Sequence, residues 1–176
     1  MAGRRGVIPA PAALVEQLAA GLPTLVDGPT EALRLVGIRR GGVWVAERLR
    51  LALGLEEPVG EVDAGMFRDD LARGAPLRPL RASRLPWDVE GRCLVLVDDV
   101  FATGRTARAA IEELMQFGRP ARILFAVLVE RSDPGLRELP IRPDLAAARL
   151  DLGRGRRIKL RGPEPLRFEI LAEDEA

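Results

Sequence analysis

The stretch that decides the fold class reads Leu94-Val95-Leu96-Val97-Asp98-Asp99-Val100-Phe101-Ala102-Thr103-Gly104-Arg105-Thr106. Its four leading apolar residues predict a strand that is covered on both faces. The two carboxylates that follow would lie at the C-terminal end of this strand, where α/β sheets bind their ligands. The small residues 102–104 then form a turn that opens a helix. The stretch therefore predicts a strand–turn–helix unit with a ligand site at the turn.

The turn has the chemistry of an anion site next to a hydroxyl site. Free N–H groups at the start of a helix face outward, and the helix dipole favours negative charge there by about 0.3–1 kcal/mol. Gly104 permits a close backbone approach, and the hydroxyls of Thr103 and Thr106 can donate to phosphate oxygens. Asp98 and Asp99 suit ribose hydroxyls. The pattern predicts a sugar-phosphate site, although isolated Asp-Asp and Thr-Gly pairs more often only end a strand and cap a helix.

The rest of the chain alternates predicted strands with predicted helices, which indicates a parallel α/β sheet in one domain spanning residues 1–176. Two alternating runs near the end of the chain suggest a terminal antiparallel pair. Helices are predicted at residues 12–20, 41–53 and 106–117, strands at 33–38, 59–67, 94–97 and 122–129, and the terminal pair at 156–160 and 166–171. Residues 68–86 show no clean period and predict either a functional loop or a mobile one.

The composition excludes several kinds of catalytic site. The chain has no histidine, so His-dependent triads and His-ligated zinc are ruled out. Lys159 is the only lysine and no Gly-rich loop leads into it, which excludes a P-loop. Cys93 is the only cysteine, so no internal disulfide can form. We find neither a signal peptide nor an apolar run of roughly 18 residues, and we expect a cytoplasmic protein with no membrane contact.

Four segments together resemble type I phosphoribosyltransferases, and in particular the PyrR family, whose members regulate pyrimidine operons and resemble uracil phosphoribosyltransferases in activity. The similarity extends from about residue 35 to residue 144. It implies a central, mainly parallel sheet flanked by helices, with a flexible loop and a small C-terminal β hairpin. The matching segments are residues 35–42, residues 67–71, the stretch 94–106, and residues 137–142.

The resemblance implies transfer of the phosphoribosyl group of phosphoribosyl pyrophosphate (PRPP) to uracil, with Mg²⁺ carried by PRPP. No side chain is assigned to the metal, and no general base is identified. The residues expected to take part in catalysis are Asp98, Asp99 and Arg68. Those expected to hold the 5-phosphate and ribose are Asp98, Asp99, Ala102, Thr103, Gly104, Arg105 and Thr106. Pyrophosphate is assigned to Arg39, Arg40 and Gly41, and the base to Val100, Glu138, Leu139 and Ile141.

The chain differs from related patterns at positions that bear on the base. Purine phosphoribosyltransferases typically place an aspartate at the position of Ala102, so Ala102 disfavours a purine. PyrR proteins would have a tyrosine there. They would also have an arginine, preceded by a threonine, at Gly41, and a short Gly-His step at residues 132–136.

Two alternatives remain open at this point. One is a regulator that responds to UMP or UTP and binds an mRNA leader, with weak or no catalysis. The net charge is only +1, so RNA binding would need a basic patch, and pairing into a homo-oligomer would enlarge it. The other is a nucleotide-binding fold without useful catalysis. Scattered candidates for RNA contacts are Arg4, Arg5, Arg149, Arg154, Arg156 and Arg157.

Overall fold

A computed structural model describes residues 8–64 and 82–172. Three helices and seven strands follow one another along this part of the chain. The helices are α1 (Pro11–Gly21), α2 (Gly41–Ala52) and α3 (Arg105–Met115). The strands are β1 (Arg34–Ile38), β2 (Gly60–Val62), β3 (Cys93–Phe101), β4 (Arg122–Arg131), β5 (Leu145–Leu150), β6 (Arg156–Arg161) and β7 (Arg167–Ala172).

Five strands form one parallel sheet in the order β2-β1-β3-β4-β5, and β6 pairs antiparallel with β7. In this order the chain runs outward from β1 to β2 on one side, and from β3 to β5 on the other. The direction of winding therefore reverses between β1 and β3, which are paired directly, with Val36 opposite Leu96. A reversal of this kind opens a crevice at the C-terminal ends of the two strands, where α/β proteins bind their ligands.

Both faces of the sheet are covered, which accounts for the unbroken apolar runs in β3 and β4. On one face, α1, α2 and the hairpin pack together, with Leu18, Leu49 and Leu160 buried between them. On the other face, α3 packs with Ala110 and Leu114 against Leu96. Because the hairpin contributes Ile158 and Leu160 to the first cluster, it belongs to the same core as the sheet.

The predicted fold class is confirmed, and the structure differs from the predicted elements in three strands. β3 was predicted at residues 94–97 and continues through both carboxylates to Phe101. β2 has only three residues in place of the nine predicted, and residues 65–67 lie outside the described part of the chain. β5 was missed, because its Leu-Ala-Ala-Ala-Arg-Leu sequence favours a helix. Its parallel pairing with β4 overrides that preference.

The region predicted as an irregular loop, residues 68–86, is described only from residue 82 onward. There Arg84 forms an antiparallel bridge with Glu61, and each backbone N–H donates to the other carbonyl at 2.8 Å. The chain thus returns to β2 before it enters β3. Among the described residues, no helix is both long enough and apolar enough to cross a membrane.

Candidate active site

The candidate site lies at the C-terminal ends of β1 and β3, where the winding reverses. Two short connections meet there. The first connection, Arg39 and Arg40, leads from β1 into α2, and its peptide bond is cis. The second connection, Ala102 to Gly104, leads from β3 into α3. The topology therefore places an arginine-bearing turn beside the turn that the sequence predicts to bind phosphate.

The second connection is shaped to present the N-terminus of α3. Gly104 precedes the helix with a φ of 96°, a left-handed conformation that a residue with a Cβ adopts only at a cost of about 1–2 kcal/mol. The N–H of Arg105 donates to Thr103 Oγ1 at 3.2 Å. Thr103 itself is buried. The open N–H groups of the first helical turn are thus gathered beside a hydroxyl, as a phosphate site requires.

The two carboxylates occupy different surroundings. Asp98 is buried, and its Oδ1 accepts the backbone N–H of Asp99 at 2.9 Å. Asp99 is half-buried and extends toward the first connection, since a Cβ atom placed on Gly41 would lie 2.4 Å from Asp99 Cγ. The Asp99 carboxylate therefore lies at the N-terminus of α2, where the helix dipole favours negative charge.

The first connection is held by close packing and by one ion pair. A Cβ atom on Gly42 would lie 2.3 Å from the carbonyl oxygen of Val97, so α2 begins in direct contact with the backbone of β3. Arg39 Nε donates to Glu61 Oε2 at 2.7 Å, and the Arg39 N–H donates to the carbonyl of Val62. Arg40 is exposed. Of the two arginines, Arg40 is the one whose side chain is open to solvent.

Residues 132–144, between β4 and β5, form the third side of the site. The backbone N–H groups of Glu138 and Leu139 both donate to the carbonyl of Thr103, at 3.0 and 3.2 Å. Leu139 and Ile141 lie next to Gly104, whose Cβ position would be 3.3 Å from Leu139 Cβ and 3.7 Å from Ile141 Cβ. The segment predicted to surround the base therefore lies directly on the predicted phosphate turn.

An ion pair anchors the start of this segment. Arg131 Nε donates to Asp133 Oδ2 at 3.0 Å, and Arg131 Nη2 lies 2.9 Å from Asp133 Oδ1. Burial alone would raise the pKa of Asp133, but the hydrogen bond and positive charge of Arg131, with backbone N–H groups, outweigh it and hold that pKa below its ordinary value. Asp133 therefore stays ionised at neutral pH.

Most of the predicted site residues come together at this edge of the sheet, with two exceptions. Arg68 lies outside the described residues. Val100 is half-buried and packs with the cluster beneath α1 and α2, apart from the other three residues predicted for the base. The sequence analysis missed Glu61 as the partner of Arg39, and no sequence pattern links these two residues because they lie on different strands.

The described residues contain no group of three acidic, cysteine or histidine side chains that could hold a metal ion. Asp98 and Asp99 nevertheless offer the oxygen donors that Mg²⁺ prefers, and this ion commonly keeps waters and substrate oxygens as its remaining ligands. The site thus suits a Mg²⁺ ion that arrives with a phosphorylated substrate.

Cys93 is half-buried at the opposite end of β3, and burial raises the pKa of its thiol despite the nearby charge of Arg122. It takes no part in the site.

The sequence matches the phosphoribosyl transferase domain family over residues 8–141. It is 47% identical over 163 residues to a Pseudomonas paraeruginosa protein named bifunctional protein PyrR, covering 92% of this chain and 94% of that protein. The bifunctional protein PyrR of Pseudomonas aeruginosa is 45% identical over 163 residues, with 92% and 94% of the two chains covered.

Solved structures with the same fold agree with this assignment. A purine phosphoribosyltransferase from Pyrococcus horikoshii superposes with a TM-score of 0.58 at 26% identity, covering 78% of this chain and 81% of that one. A hypoxanthine-guanine phosphoribosyltransferase from Bacillus anthracis gives a TM-score of 0.63 at 13% identity over 80% and 79% of the chains, a likeness of fold alone. The chain therefore belongs to the phosphoribosyltransferase family and, within it, to the PyrR proteins.

Proposed function

We propose that this protein is a uracil phosphoribosyltransferase, which converts uracil and PRPP to uridine monophosphate and pyrophosphate. The observation that carries the proposal is the meeting of paired carboxylates, a helix N-terminus and an arginine turn where the sheet reverses its winding. Hydroxyl acceptors beside an anion site match a ribose 5-phosphate, and the arginine turn matches a second, leaving anion. The curated relatives named above carry a name that is compatible with this activity.

In this proposal the turn after β3 binds the ribose 5-phosphate. The backbone N–H groups at the start of α3 and the hydroxyls of Thr103 and Thr106 donate to the phosphate, and Ala102 and Gly104 leave room for it. Asp98 and Asp99 accept hydrogen bonds from the ribose hydroxyls. Arg105 begins this helix, with its N–H donating to Thr103 Oγ1 and its guanidinium engaged with Glu138.

The turn after β1 receives the leaving pyrophosphate. Bond breaking at the anomeric carbon leaves positive charge on the sugar and increasing negative charge on pyrophosphate, so donors near the leaving group lower the barrier. Arg40 offers an exposed guanidinium and Gly41 a backbone N–H group. In contrast, the Arg39 N–H already donates to the carbonyl of Val62, and the Arg39 side chain donates to Glu61. Mg²⁺ bound to PRPP supplies further neutralisation of the phosphate charge.

The base is expected to lie against the segment of Glu138, Leu139 and Ile141, whereas Val100 packs in the cluster beneath α1 and α2 and does not join them. Ala102 carries no carboxylate to meet a purine ring nitrogen, which favours the smaller pyrimidine.

The test is the release of pyrophosphate from PRPP and Mg²⁺, with uracil, hypoxanthine, guanine, adenine and orotate offered in parallel. Release with uracil alone is the expected result. Release with another base would leave the site in place and overturn the pyrimidine assignment. No release with any base would overturn the enzymatic proposal in favour of a nucleotide-sensing protein.

The second candidate function is an RNA-binding regulator that senses uridine nucleotides, and the outer face of the hairpin favours it. The strand register places four cations and one carboxylate on this face, Arg157, Lys159, Arg161, Arg167 and Glu169. Lys159, Arg161 and Arg167 are exposed. Arg161 pairs with Glu169, so the face keeps a positive excess suited to phosphate backbones. Association into a homo-oligomer would bring two such faces together.

This function is tested by the binding of the leader transcript of the pyrimidine genes from the same genome, measured with and without UMP. We expect affinity to fall steeply with salt, and Arg167→Gln to reduce the salt slope by about one phosphate contact. Arg108→Gln, on the far side of the sheet, is the matched control. Equal binding of an unrelated RNA of the same length, unaffected by UMP, would rule out specific regulation.

A further inference from the structure

The loop between β4 and β5 is anchored firmly at both of its ends. At its start, the N–H of Ser132 donates to the carbonyl of Leu150 at 2.9 Å, next to the buried Arg131–Asp133 ion pair. At its other end, Asp144 Oδ2 accepts the N–H of Phe125, and the Asp144 N–H donates to the carbonyl of Phe125, both at 2.8 Å. The ends therefore move with the sheet.

The middle of the same loop is attached to the phosphate turn. Thr103 accepts two backbone N–H groups through its carbonyl, from Glu138 and Leu139. The Glu138 side chain adds an ion pair, in which Oε2 accepts from Arg105 Nε at 2.6 Å and also contacts Nη2 of the same guanidinium. Arg105 is the first residue of α3, so Glu138 joins the base segment to the start of the phosphate-binding helix.

We propose that Glu138 is a positioning residue: through Arg105 it holds the base segment against the phosphate turn, so that base affinity depends on the state of the phosphate site. The proposal rests on the proposed phosphoribosyltransferase activity. A phosphate bound at the N-terminus of α3 would order Thr103 to Arg105, and with them the backbone groups of Glu138 and Leu139.

The expected size of the effect is modest because the pair is exposed. The Arg105 side chain is 58% exposed and that of Glu138 43%. Exposed ion pairs of this kind change an equilibrium by about two- to five-fold. An effect of this size on base affinity is measurable, and it should be absent for an equally exposed ion pair that joins nothing to the site.

The experiment compares Glu138→Gln, Arg105→Ala and the double variant Arg105→Ala/Glu138→Gln, which form a double-mutant cycle. The readouts are kcat and the KM values for uracil and PRPP. The matched control is Glu112→Gln, which breaks the exposed Arg108–Glu112 pair one turn further along α3. We expect Glu138→Gln to raise the KM for uracil about two- to five-fold with kcat unchanged, and the double variant to raise it no further than the single substitutions. The control should leave all three constants unchanged.

Two results would overturn the proposal. One is independence of the single substitutions, with the double variant showing the product of their effects on the KM for uracil. The other is an equal rise in the KM for uracil in Glu112→Gln.

If the unaltered protein turns over no base, the enzymatic proposal fails separately. Amide exchange of Glu138 and Leu139, with and without PRPP, then decides the inference. PRPP should slow exchange in the unaltered protein and in Glu112→Gln but less in Glu138→Gln, and equal slowing in all three would refute it.

Discussion

The turns after β1 and after β3 are neighbours in the site, yet they are held in place by different forces. The turn after β1 is positioned chiefly by steric contact, with Gly42 against the backbone of Val97 and Gly41 against the side chain of Asp99. The Arg39–Glu61 ion pair lies beside it. The turn after β3 is positioned by hydrogen bonds and charge, from the segment that contains Glu138 and Leu139. Steric contact tolerates almost no added atom, whereas hydrogen bonds can be lost one at a time.

This difference predicts that the two turns have different roles in ligand binding. A turn fixed by close packing keeps one shape and suits the binding of a leaving anion whose position must not vary. A turn fixed by a few hydrogen bonds and an exposed ion pair can be ordered by its ligand. The contrast predicts that substitutions after β1 act chiefly through shape, and that those after β3 act through binding.

The largest effect is expected from Gly42→Ala. The added methyl would lie 2.3 Å from the carbonyl oxygen of Val97, and this atom belongs to the backbone of a central strand and cannot turn aside. We expect a loss of about 1–3 kcal/mol in the free energy of unfolding, measured in urea, together with a large loss of turnover. Gly41→Ala is the comparison variant, because it meets the movable Asp99 side chain and should lose less stability. If Gly42→Ala and Gly41→Ala lost the same unfolding free energy, the clash with the Val97 carbonyl would not explain the loss.

The next largest effect is expected from Asp99→Asn, on turnover alone. The two side chains have nearly the same shape, but the amide loses the charge that faces the start of α2 and the proposed ribose hydroxyl. Loss of a hydrogen bond to a charged group is worth about 1.5–3 kcal/mol, or about ten- to a hundred-fold in kcat/KM. Chemical unfolding should show little change in stability. Undiminished turnover would exclude Asp99 from ribose binding.

A smaller effect is expected from Gly104→Ala in the turn after β3. The left-handed φ of 96° should cost alanine about 1–2 kcal/mol of unfolding free energy. The new methyl would also approach Leu139 Cβ to 3.3 Å, so the KM for uracil should rise with that for PRPP. Gly135→Ala has a similar φ of 76° but no neighbour within 4 Å, and it controls for backbone strain alone. If Gly104→Ala and Gly135→Ala changed the KM for uracil equally, the approach to Leu139 would not be its cause.

The smallest effect concerns pH and the ion pair that anchors the base segment. The folded-state pKa of Asp133 lies below its ordinary value of 3.8, so its ionised form stabilises the fold above that pH. This contribution is lost as pH falls through the lower, folded-state pKa. The difference in unfolding free energy between the unaltered protein and Asp133→Asn should therefore be greatest above about pH 4 and shrink toward pH 2. A difference that stayed constant with pH would show that the charge of Asp133 is not involved.

The elements with a clear hydrophobic period were predictable from the sequence. α1, α2 and α3 lie within one or two residues of their predicted bounds, and β1, β4 and the terminal hairpin are also present. The unit around Asp98 and Gly104 was predictable because strand, carboxylates, turn and helix are contiguous in the chain. For this unit, neighbouring residues in the chain were sufficient to predict the local structure.

The remaining features depend on partners that are distant in sequence. β5 has the composition of a helix, and only its edge position beside β4 makes it a strand. The Arg39–Glu61 and Arg105–Glu138 pairs join residues separated by 22 and 33 positions. No local pattern selects one carboxylate among many at such distances. The position of Asp99 against Gly41 likewise follows from the pairing of β1 with β3.

The sequence by itself determined the family and the fold class and predicted the kind of ligand, because the strand, its two carboxylates and the glycine turn carry their chemistry within thirteen consecutive residues. Only the tertiary structure decided how the three segments of the site meet, and which forces hold each of them. The physical reason is that backbone contact at Gly42 and hydrogen bonds to the carbonyl of Thr103 exist only once parallel strands bring distant turns to one edge of the sheet.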